Sequence, residues 1–148
     1  MRTHELKTGI LALSLLAGCQ VGPMIHEIDE SKSPFGASVR IEVSQAGTSR
    51  ARQYEGELIE TKDDGLVIAL RTAGGAPSRV TFVPWSRIHL VKATELPGFQ
   101  ARGAGNPSPG SASIEKMRLI SRFPQGLSPA LMEQLLAGYD QATVDSLP

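Results

Sequence analysis

The stretch YEGELIETKDDGLVIAL, residues 54–70, decides the fold of this chain. Tyr54, Gly56 and Leu58 alternate with charged neighbours, which is the period of a half-buried strand. The acidic sequence KDDG then predicts a tight turn in which Gly65 takes a positive φ. The apolar run that follows predicts a second strand, so the whole stretch predicts a β-hairpin. We expect Gly56 to permit strong bending of the first strand or a close approach of two backbones.

Three further strands are predicted around this hairpin. Val39, Ile41 and Val43 of the sequence ASVRIEVSQ lie on one face of the first of them. The segments RVTFV and IHLVKA follow the hairpin and are separated by the turn PWSR. Five short strands joined by local turns within residues 37–93 favour a small antiparallel barrel, because closure removes exposed strand edges. The sequence therefore predicts a mainly β fold with a C-terminal helix.

The hairpin and the two strands after it resemble the small barrels of the SH3-like and Sm-like families. The shared features are a Gly-x-Leu strand, an acidic turn, an apolar strand and the return VPWSRI at residues 83–88. This resemblance implies a small five-stranded SH3-like or Sm-like antiparallel barrel over residues 37–93. The RNA-contacting residues of the Sm family are missing, because their neighbourhoods read GLV at residues 65–67 and WSR at residues 85–87. We therefore expect no nucleic acid partner.

The N-terminal sequence MRTHELKTGILALSLLAGCQ has the layout of an export signal. Arg2 and Lys7 precede a short apolar stretch, residues 8–17, that ends at small residues. This stretch is too short for a transmembrane helix, which needs about 20 apolar residues to cross the hydrocarbon core. The pattern therefore predicts a signal peptide over residues 1–18.

The sequence LAGC at residues 16–19 resembles the bacterial lipobox. This resemblance implies that Cys19 receives diacylglycerol and further acyl chains such as palmitate, and becomes the first residue of the mature chain. Gln20 then favours the periplasmic face of the outer membrane under the enterobacterial sorting rule. The alternative is an ordinary secretory signal with a cysteine near its cleavage point. Cys19 is the only cysteine of the chain, so it has no partner for an intramolecular disulfide, and acylation would consume its thiol.

Length and composition limit the class of protein. The chain has 148 residues, which is enough for one ordinary domain or one small domain with appendages. Its 15 basic and 15 acidic side chains cancel, so no global field attracts nucleic acid or an anionic membrane surface. Residues 19–36 have the composition of a tether, and residues 94–113 that of a flexible linker. Residues 114–148 are predicted to form a helical C-terminal segment.

One helix of this segment is predicted with defined ends. Ser128 is a favourable N-cap, Pro129 a favourable first residue, and an amphipathic stripe that includes Leu131 and Leu135 continues to about residue 142. An isolated helix of this length is marginal in water, so the stripe must pack against something. The open end of the chain's own barrel and a groove on a partner are the two alternatives.

Four residues are candidates for partner binding, namely Trp85, Arg87, Leu131 and Leu135. Trp85 offers an aromatic platform, although its position after Pro84 also suits packing at the end of the barrel. The sequence contains no convincing catalytic set and no metal or cofactor motif. We therefore predict a membrane-anchored lipoprotein of the cell envelope that acts as a non-catalytic binding or assembly module. Its partner would be another envelope protein, a second copy of the chain or peptidoglycan.

A small envelope enzyme is the alternative hypothesis. Its site would lie between the barrel and the C-terminal helix and would use His89 with Asp63 or Asp64 for proton transfer. Such chemistry requires that these side chains come within hydrogen-bond distance of one another in a cleft. Their positions in the fold therefore bear on the choice between the two hypotheses.

Overall fold

The structure is a computed structural model that describes residues 34–44, 51–71, 78–94, 96, 98–101 and 109–147. The predicted signal peptide, the lipobox with Cys19 and most of the tether lie outside the described residues. Within the described part of the chain, no helix is both long and apolar enough to cross a membrane.

Strands dominate the described fold. The strands are β1 (Ser38–Ser44), β2 (Ala51–Thr61), β3 (Gly65–Leu70), β4 (Arg79–Pro84), β5 (Ile88–Ala93), β6 (Gln100–Ala101) and β7 (Asp145–Ser146). The helices are α1 (Ser111–Ile120) and α2 (Pro129–Gly138), and a single 3-10 turn, Trp85–Arg87, joins β4 to β5. The fold is therefore mainly β with a C-terminal helix, as predicted.

All of these strands belong to one mixed sheet with the order β6-β5-β1-β2-β3-β4-β7. Neighbouring strands are antiparallel except β4 and β7, which run parallel. The prediction of a closed five-stranded barrel is wrong, because the described residues form seven strands and no pairing joins β6 to β7. Instead of closure, two very short strands cover the edges that β5 and β4 would otherwise expose.

The two halves of β2 pair with different neighbouring strands. Residues 51–57 pair with β1, whereas residues 56–61 pair with β3. Gly56 belongs to both pairings, opposite Val39 on one side and Leu70 on the other. A Cβ atom at Gly56 would overlap the carbonyl oxygen of Ala69. The close approach that the sequence predicted for Gly56 is therefore confirmed.

The main hydrophobic core lies on one face of the sheet. Val39, Ile41 and Val43 are at most 1% exposed, which confirms the predicted alternation in β1. The strands contribute further buried side chains to the same core, and α1 closes it with Met117 and Ile120. Because five successive strands and α1 share this core, the domain is stabilised chiefly by apolar burial on that face.

Helix α2 packs on the opposite face of the sheet. Its Leu135 and Leu136 contact a second apolar cluster that contains Ile59, Val67 and Val80. Of the two alternatives, the helix thus packs on its own sheet, although against the face opposite the main core rather than at the open end of a barrel. Its beginning is as predicted, because the Ser128 hydroxyl accepts a hydrogen bond from the backbone N–H of Leu131.

The end of α2 differs from the prediction. The helix ends at Gly138 rather than near residue 142, and Asp140 adopts a φ of 54°. The backbone N–H of Gln141 donates to the carbonyl of Leu136, which terminates the helix. The Gln141 side chain then accepts from the N–H of Val80 at 2.6 Å and donates to its carbonyl at 3.2 Å. This contact directs the chain along β4, where β7 forms.

Two local predictions also require correction. Gly65 does not adopt a positive φ, since Gly98 and Gly126 are the described glycines that do. Gly65 is required for space instead, because a Cβ atom there would lie 2.7 Å from the Phe82 ring. The range predicted as a linker, residues 94–113, contains β6, which pairs with β5, and Phe99, which is buried in the main core at 3% exposure.

Candidate functional site

A polar cleft lies beside the β2–β3 turn. Its volume is about 580 Å³, and its walls come from the end of β2, the turn, one side of α1 and the connection between α1 and α2. We call it the Glu60 cleft, and its lining residues are Glu60, Thr61, Lys62, Asp63, Glu115, Arg118, Leu119, Pro124, Gln125 and Gly126.

The connection between α1 and α2 follows the edge of β2 and forms one wall of the cleft. The N–H of Arg122 donates to the carbonyl of Leu58, and the N–H of Phe123 donates to that of Ile59, each at 3.0 Å. The register of β2 against β3 shifts between Leu58 and Glu60, which is the signature of a β-bulge at Ile59. A bulge reverses the alternation of faces after it, so the bulge and the connection together set the direction of Glu60.

Glu60 is a buried carboxylate whose hydrogen bonds are incomplete. The residue is 7% exposed, and its Oε1 atom accepts from the backbone N–H of Leu127 at 3.1 Å. Its Oε2 atom has no hydrogen-bond partner among the described residues. Lys62 Nζ lies 3.6 Å from Oε2, which allows charge attraction but is too long for a hydrogen bond. A buried acceptor left in this state costs about 1–3 kcal/mol of stability.

The next residue of β2 carries a second unsatisfied group. Thr61 is 5% exposed, and its hydroxyl oxygen has no hydrogen-bond partner within the described chain. Glu60 Oε2 and Thr61 Oγ1 are the two buried side-chain polar atoms of the described residues that lack a partner. Most buried polar atoms in folded proteins are paired, so these two consecutive exceptions make the cleft the candidate site.

The rim of the cleft is charged but internally paired. Arg118 donates to Glu115 Oε1 at 2.8 Å and to Asp63 Oδ1 at 2.6 Å. These contacts connect α1 to the β2–β3 turn across the opening. Three carboxylates and two cationic side chains line the cleft, so its formal charge is one unit negative.

A second cavity lies at the opposite end of the β2–β3 hairpin and is built differently. Its volume is about 520 Å³, and we call it the arginine groove. The Arg52 guanidinium lies 5.3 Å from the centre of the Tyr54 ring. Arg79 binds Asp145 at 2.5 Å, and this hydrogen bond raises the pKa of Arg79 and lowers that of Asp145. The lining residues are Arg52, Gln53, Tyr54, Glu55, Leu70, Arg71, Arg79, Thr81, Asp145, Ser146 and Leu147.

The four predicted partner-binding residues lie in different environments. Trp85 is 0% exposed, and its Nε1–H donates to the carbonyl of Lys62 at 3.2 Å, so the ring is part of the core. Arg87 donates to the carbonyl of Leu147 at 2.7 Å and to that of Ser44 at 3.2 Å. The two leucines of α2 differ in exposure, since Leu131 is 42% exposed and Leu135 is 8% exposed.

The residues of the enzyme hypothesis do not form one cluster in the described chain. His89 is exposed, and its Nε2 atom lies 2.5 Å from the hydroxyl oxygen of Ser44. Asp63 pairs with Arg118, while the backbone carbonyl of Asp64 accepts from the N–H of Trp85. No hydrogen bond or ion pair of the described residues joins His89 to either aspartate. These residues also contain no group of three or more metal-ligating side chains.

Glu60 is not among the candidates predicted from the sequence. A signal was present, because Glu60 continues the alternation of Gly56 and Leu58 and so occupies a position where an apolar side chain is expected. An acid at such a position indicates a bulge or a buried polar site. Its partner Leu127 is 67 residues away in the sequence, which no local pattern could identify.

Comparison of the chain with protein-family models, with curated proteins and with solved structures finds no match. Its function must therefore be argued from its own residues.

Proposed function

We propose that this chain is a lipid-anchored protein of the bacterial envelope that acts as a non-catalytic binding module through the Glu60 cleft. The observation that carries the binding role is the buried Glu60 carboxylate, which has one oxygen satisfied and the other without a hydrogen bond. A ligand that supplies the missing donor would relieve this cost. The lipobox resemblance at residues 16–19 supports an acyl anchor at Cys19 and a position on the periplasmic face of the outer membrane.

The point where the tether would meet the domain supports this arrangement. The N–H of Gly36 donates to Glu57 Oε1 at 2.9 Å, and Arg122 lies 5.6 Å from the ring centre of Phe35. The N–H of Ala37 donates to the carbonyl of Ile120 at 2.8 Å. These contacts join the start of the domain to β2, to the end of α1 and, through Arg122, to the connection between α1 and α2, which also forms a wall of the Glu60 cleft. An anchored tether and a bound partner would thus act on the same connection.

An SH3-like or Sm-like fold for the five predicted strands is part of the same proposal. The five strands that the sequence predicted are adjacent in the order β5-β1-β2-β3-β4, and they share one core. This arrangement supports an SH3-like or Sm-like module embedded in an open sheet of seven strands. Proteins of one fold carry many different functions, so the binding role is argued from the cleft alone.

The anchor has a direct test. Mass spectrometry of the mature N-terminus should find an acylated Cys19, because the lipobox directs both the modification and the cleavage. A Cys19→Ala variant should carry no acyl chain and keep residues 1–18. A variant that is still cleaved before position 19, like the unaltered protein, would contradict the anchor.

The binding role is tested by site-specific photocrosslinking in intact cells. Gln125 lines the Glu60 cleft and is exposed, so a photoreactive residue there should capture the envelope partner. The same residue placed at the exposed Glu133 of α2, outside the cleft lining, is the matched control. Equal capture at both positions, or none at position 125 with a monomeric protein, would contradict a partner in the cleft.

The leucines of α2 test whether this helix also contacts the partner. Leu131→Ser should leave the free energy of unfolding within about 0.5 kcal/mol of the original value, because the side chain is exposed. Leu135→Ser should lower it by about 2–4 kcal/mol, because Leu135 packs against the second apolar cluster. Reduced capture at position 125 in the Leu131 variant would extend the interface onto α2, and unchanged capture would confine it to the cleft.

One contact favours the alternative of a small envelope enzyme. The Ser44 hydroxyl lies 2.5 Å from His89 Nε2, which is close to the roughly 2.6–3.2 Å that separate a nucleophile from its general base. A fluorophosphonate probe should label Ser44 if this pair is catalytic, and Ser44→Ala should abolish the labelling. The geometry favours the binding role, because no cleft that we describe includes either residue.

A further inference from the structure

The unsatisfied oxygen in the Glu60 cleft restricts the chemistry of its ligand. Glu60 Oε2 can only accept hydrogen bonds while Glu60 is ionised, so its partner must be a donor. The formal charge of the cleft is one unit negative, which favours a cation over an anion. We infer that the Glu60 cleft binds a primary ammonium group, such as that of a lysine side chain. This inference rests on the proposed binding role of the cleft and names the ligand class for it.

Lys62 does not already fill this role. Its Nζ atom stays 3.6 Å from Glu60 Oε2, and its side chain is 42% exposed, so it can turn outward into water. Lys62 directly follows β2, and its ammonium lies beyond hydrogen-bond distance of this oxygen. Because Glu60 Oε2 is itself buried, the inferred ligand would reach hydrogen-bond distance, about 2.8 Å for a charged pair, once the Lys62 side chain turns outward. Lys62 therefore competes with the ligand rather than assisting it.

The remaining groups of the cleft agree with a donor ligand. Both cationic groups of the lining are adjacent to carboxylates, since Arg118 binds Asp63 and Glu115 and Lys62 faces Glu60. An anionic ligand would have to break these ion pairs and would be repelled by Glu60. An ammonium carries three donors and no acceptor, which matches the unpaired Glu60 Oε2.

Three peptides that differ at one side chain test the inference on the full chain in detergent. Acetyl-Ala-Lys-Ala-amide carries the ammonium, the norleucine analogue has an uncharged chain of similar length, and the glutamate analogue has the opposite charge. Titration followed by NMR shifts of the backbone amides of residues 60–62 and 126–127 should detect the lysine peptide, with at least about tenfold weaker binding of the other two. Butylammonium shows whether the amine alone is sufficient or whether a peptide backbone is needed.

Two substitutions should change the affinity in opposite directions. Glu60→Gln should weaken binding of the lysine peptide about tenfold, whereas Glu133→Gln, with the same charge change on α2, should not alter it. Lys62→Met should strengthen binding severalfold, because the competing cation is removed, whereas Lys92→Met, the same change on β5, should not. The Lys62 variant changes a partly exposed side chain, so it decides the question even if the Glu60 variant folds poorly.

Each possible result decides between the two proposals. Equal binding of the lysine and norleucine peptides, or weaker binding in the Lys62→Met variant, would overturn the ammonium inference. If position 125 still captures a partner in cells, the binding role stands and only the ligand class is wrong. If neither capture nor peptide binding occurs, the binding role itself fails.

Discussion

The two ends of the β2–β3 hairpin differ in how their charged side chains are buried and paired. At the turn, Glu60 is 7% exposed and is held by the backbone of a segment distant in sequence. At the other end, the Arg79 and Asp145 side chains are 56% and 34% exposed and satisfy each other. Water screens the exposed pair, so it contributes little to stability in either direction. The buried carboxylate is costly until a donor reaches it, and this difference identifies the Glu60 end as the better candidate for ligand recognition.

The two cavities are similar in volume, at about 580 and 520 Å³, so size does not distinguish them. What distinguishes them is the number of backbone contacts that fix the charged group. The direction of Glu60 follows from a bulge in β2, the hydrogen bond to Leu127 and the contacts of residues 122 and 123 with β2. A charged group held this rigidly can discriminate between ligands, whereas an exposed arginine can adapt its conformation to many different ligands.

The largest effect is expected at Gly56, where β2 passes from one pairing to the other and so joins the two ends. Gly56→Val would place side-chain atoms against the carbonyl of Ala69 and against Ile68. We expect the free energy of unfolding to fall by about 3 kcal/mol in urea titrations followed by circular dichroism. Both ends should be lost together, because neither pairing of β2 can form normally.

Gly138→Ala is the matched control for this substitution. A Cβ atom at Gly138 meets nothing within 4 Å, and the residue ends α2 without a positive φ. We expect its stability to stay the same or rise by up to about 1 kcal/mol, since alanine favours the helix. If the Gly56→Val variant were as stable as the unaltered protein, β2 would not depend on the close approach of the two backbones at Gly56.

A smaller effect of opposite sign is expected at Glu60. Glu60→Gln keeps an acceptor for the N–H of Leu127 and removes a buried charge whose second oxygen has no hydrogen bond. We expect the free energy of unfolding to rise by about 1 kcal/mol while ligand binding is weakened, because a neutral amide costs less to bury than a carboxylate. Greater stability with weaker binding is the behaviour of a functional residue.

Glu55→Gln is the same change in the other half of β2. The Glu55 side chain is 47% exposed and pairs with Arg40 at the surface. The free energy of unfolding of the Glu55→Gln variant should change by no more than about 0.5 kcal/mol. If both variants behaved alike, or if Glu60→Gln were clearly destabilising, the contrast between the two ends would fail.

The elements with a strong local pattern were predictable from the sequence. The alternation of Val39, Ile41 and Val43 identified β1, and Ser128 followed by Pro129 identified the start of α2. In each case the evidence lies within a few neighbouring residues. The hairpin could be predicted for the same reason.

The sheet edges and the cleft could not be predicted in this way. Strands β6 and β7 have two residues each, which is too short for any periodicity. The direction of Glu60 depends on Leu127, 67 residues later in the chain. Closure of the barrel was expected because bare edges are unfavourable, but short strands from the downstream chain cover the edges at less cost in ordered residues.

The smallest effect is expected at the exposed pair of Arg79 and Asp145. The hydrogen bond from Arg79, helped by its charge, lowers the pKa of Asp145 below its usual value of about 4. The folded state therefore binds this proton less readily than the unfolded state does. The contribution of Asp145 to stability is fully present above pH ~4 and is lost as the pH falls through its folded-state pKa. Asp145→Asn should accordingly lower the urea midpoint slightly at neutral pH and leave it unchanged in strong acid.

An NMR titration of the Asp145 carboxyl carbon measures this pKa directly. In the Arg79→Met variant the pKa should return to the ordinary range, because both the hydrogen bond and the positive charge are removed. Arg40→Met, which removes an arginine from a different surface pair, should leave it depressed. A depressed Asp145 pKa in the Arg79 variant would mean that the surrounding strands, rather than this ion pair, stabilise the charge. The Asp145 carboxylate would then depend on the surrounding backbone, as the Glu60 carboxylate does. The two ends of the hairpin would differ less in how they fix a charged group.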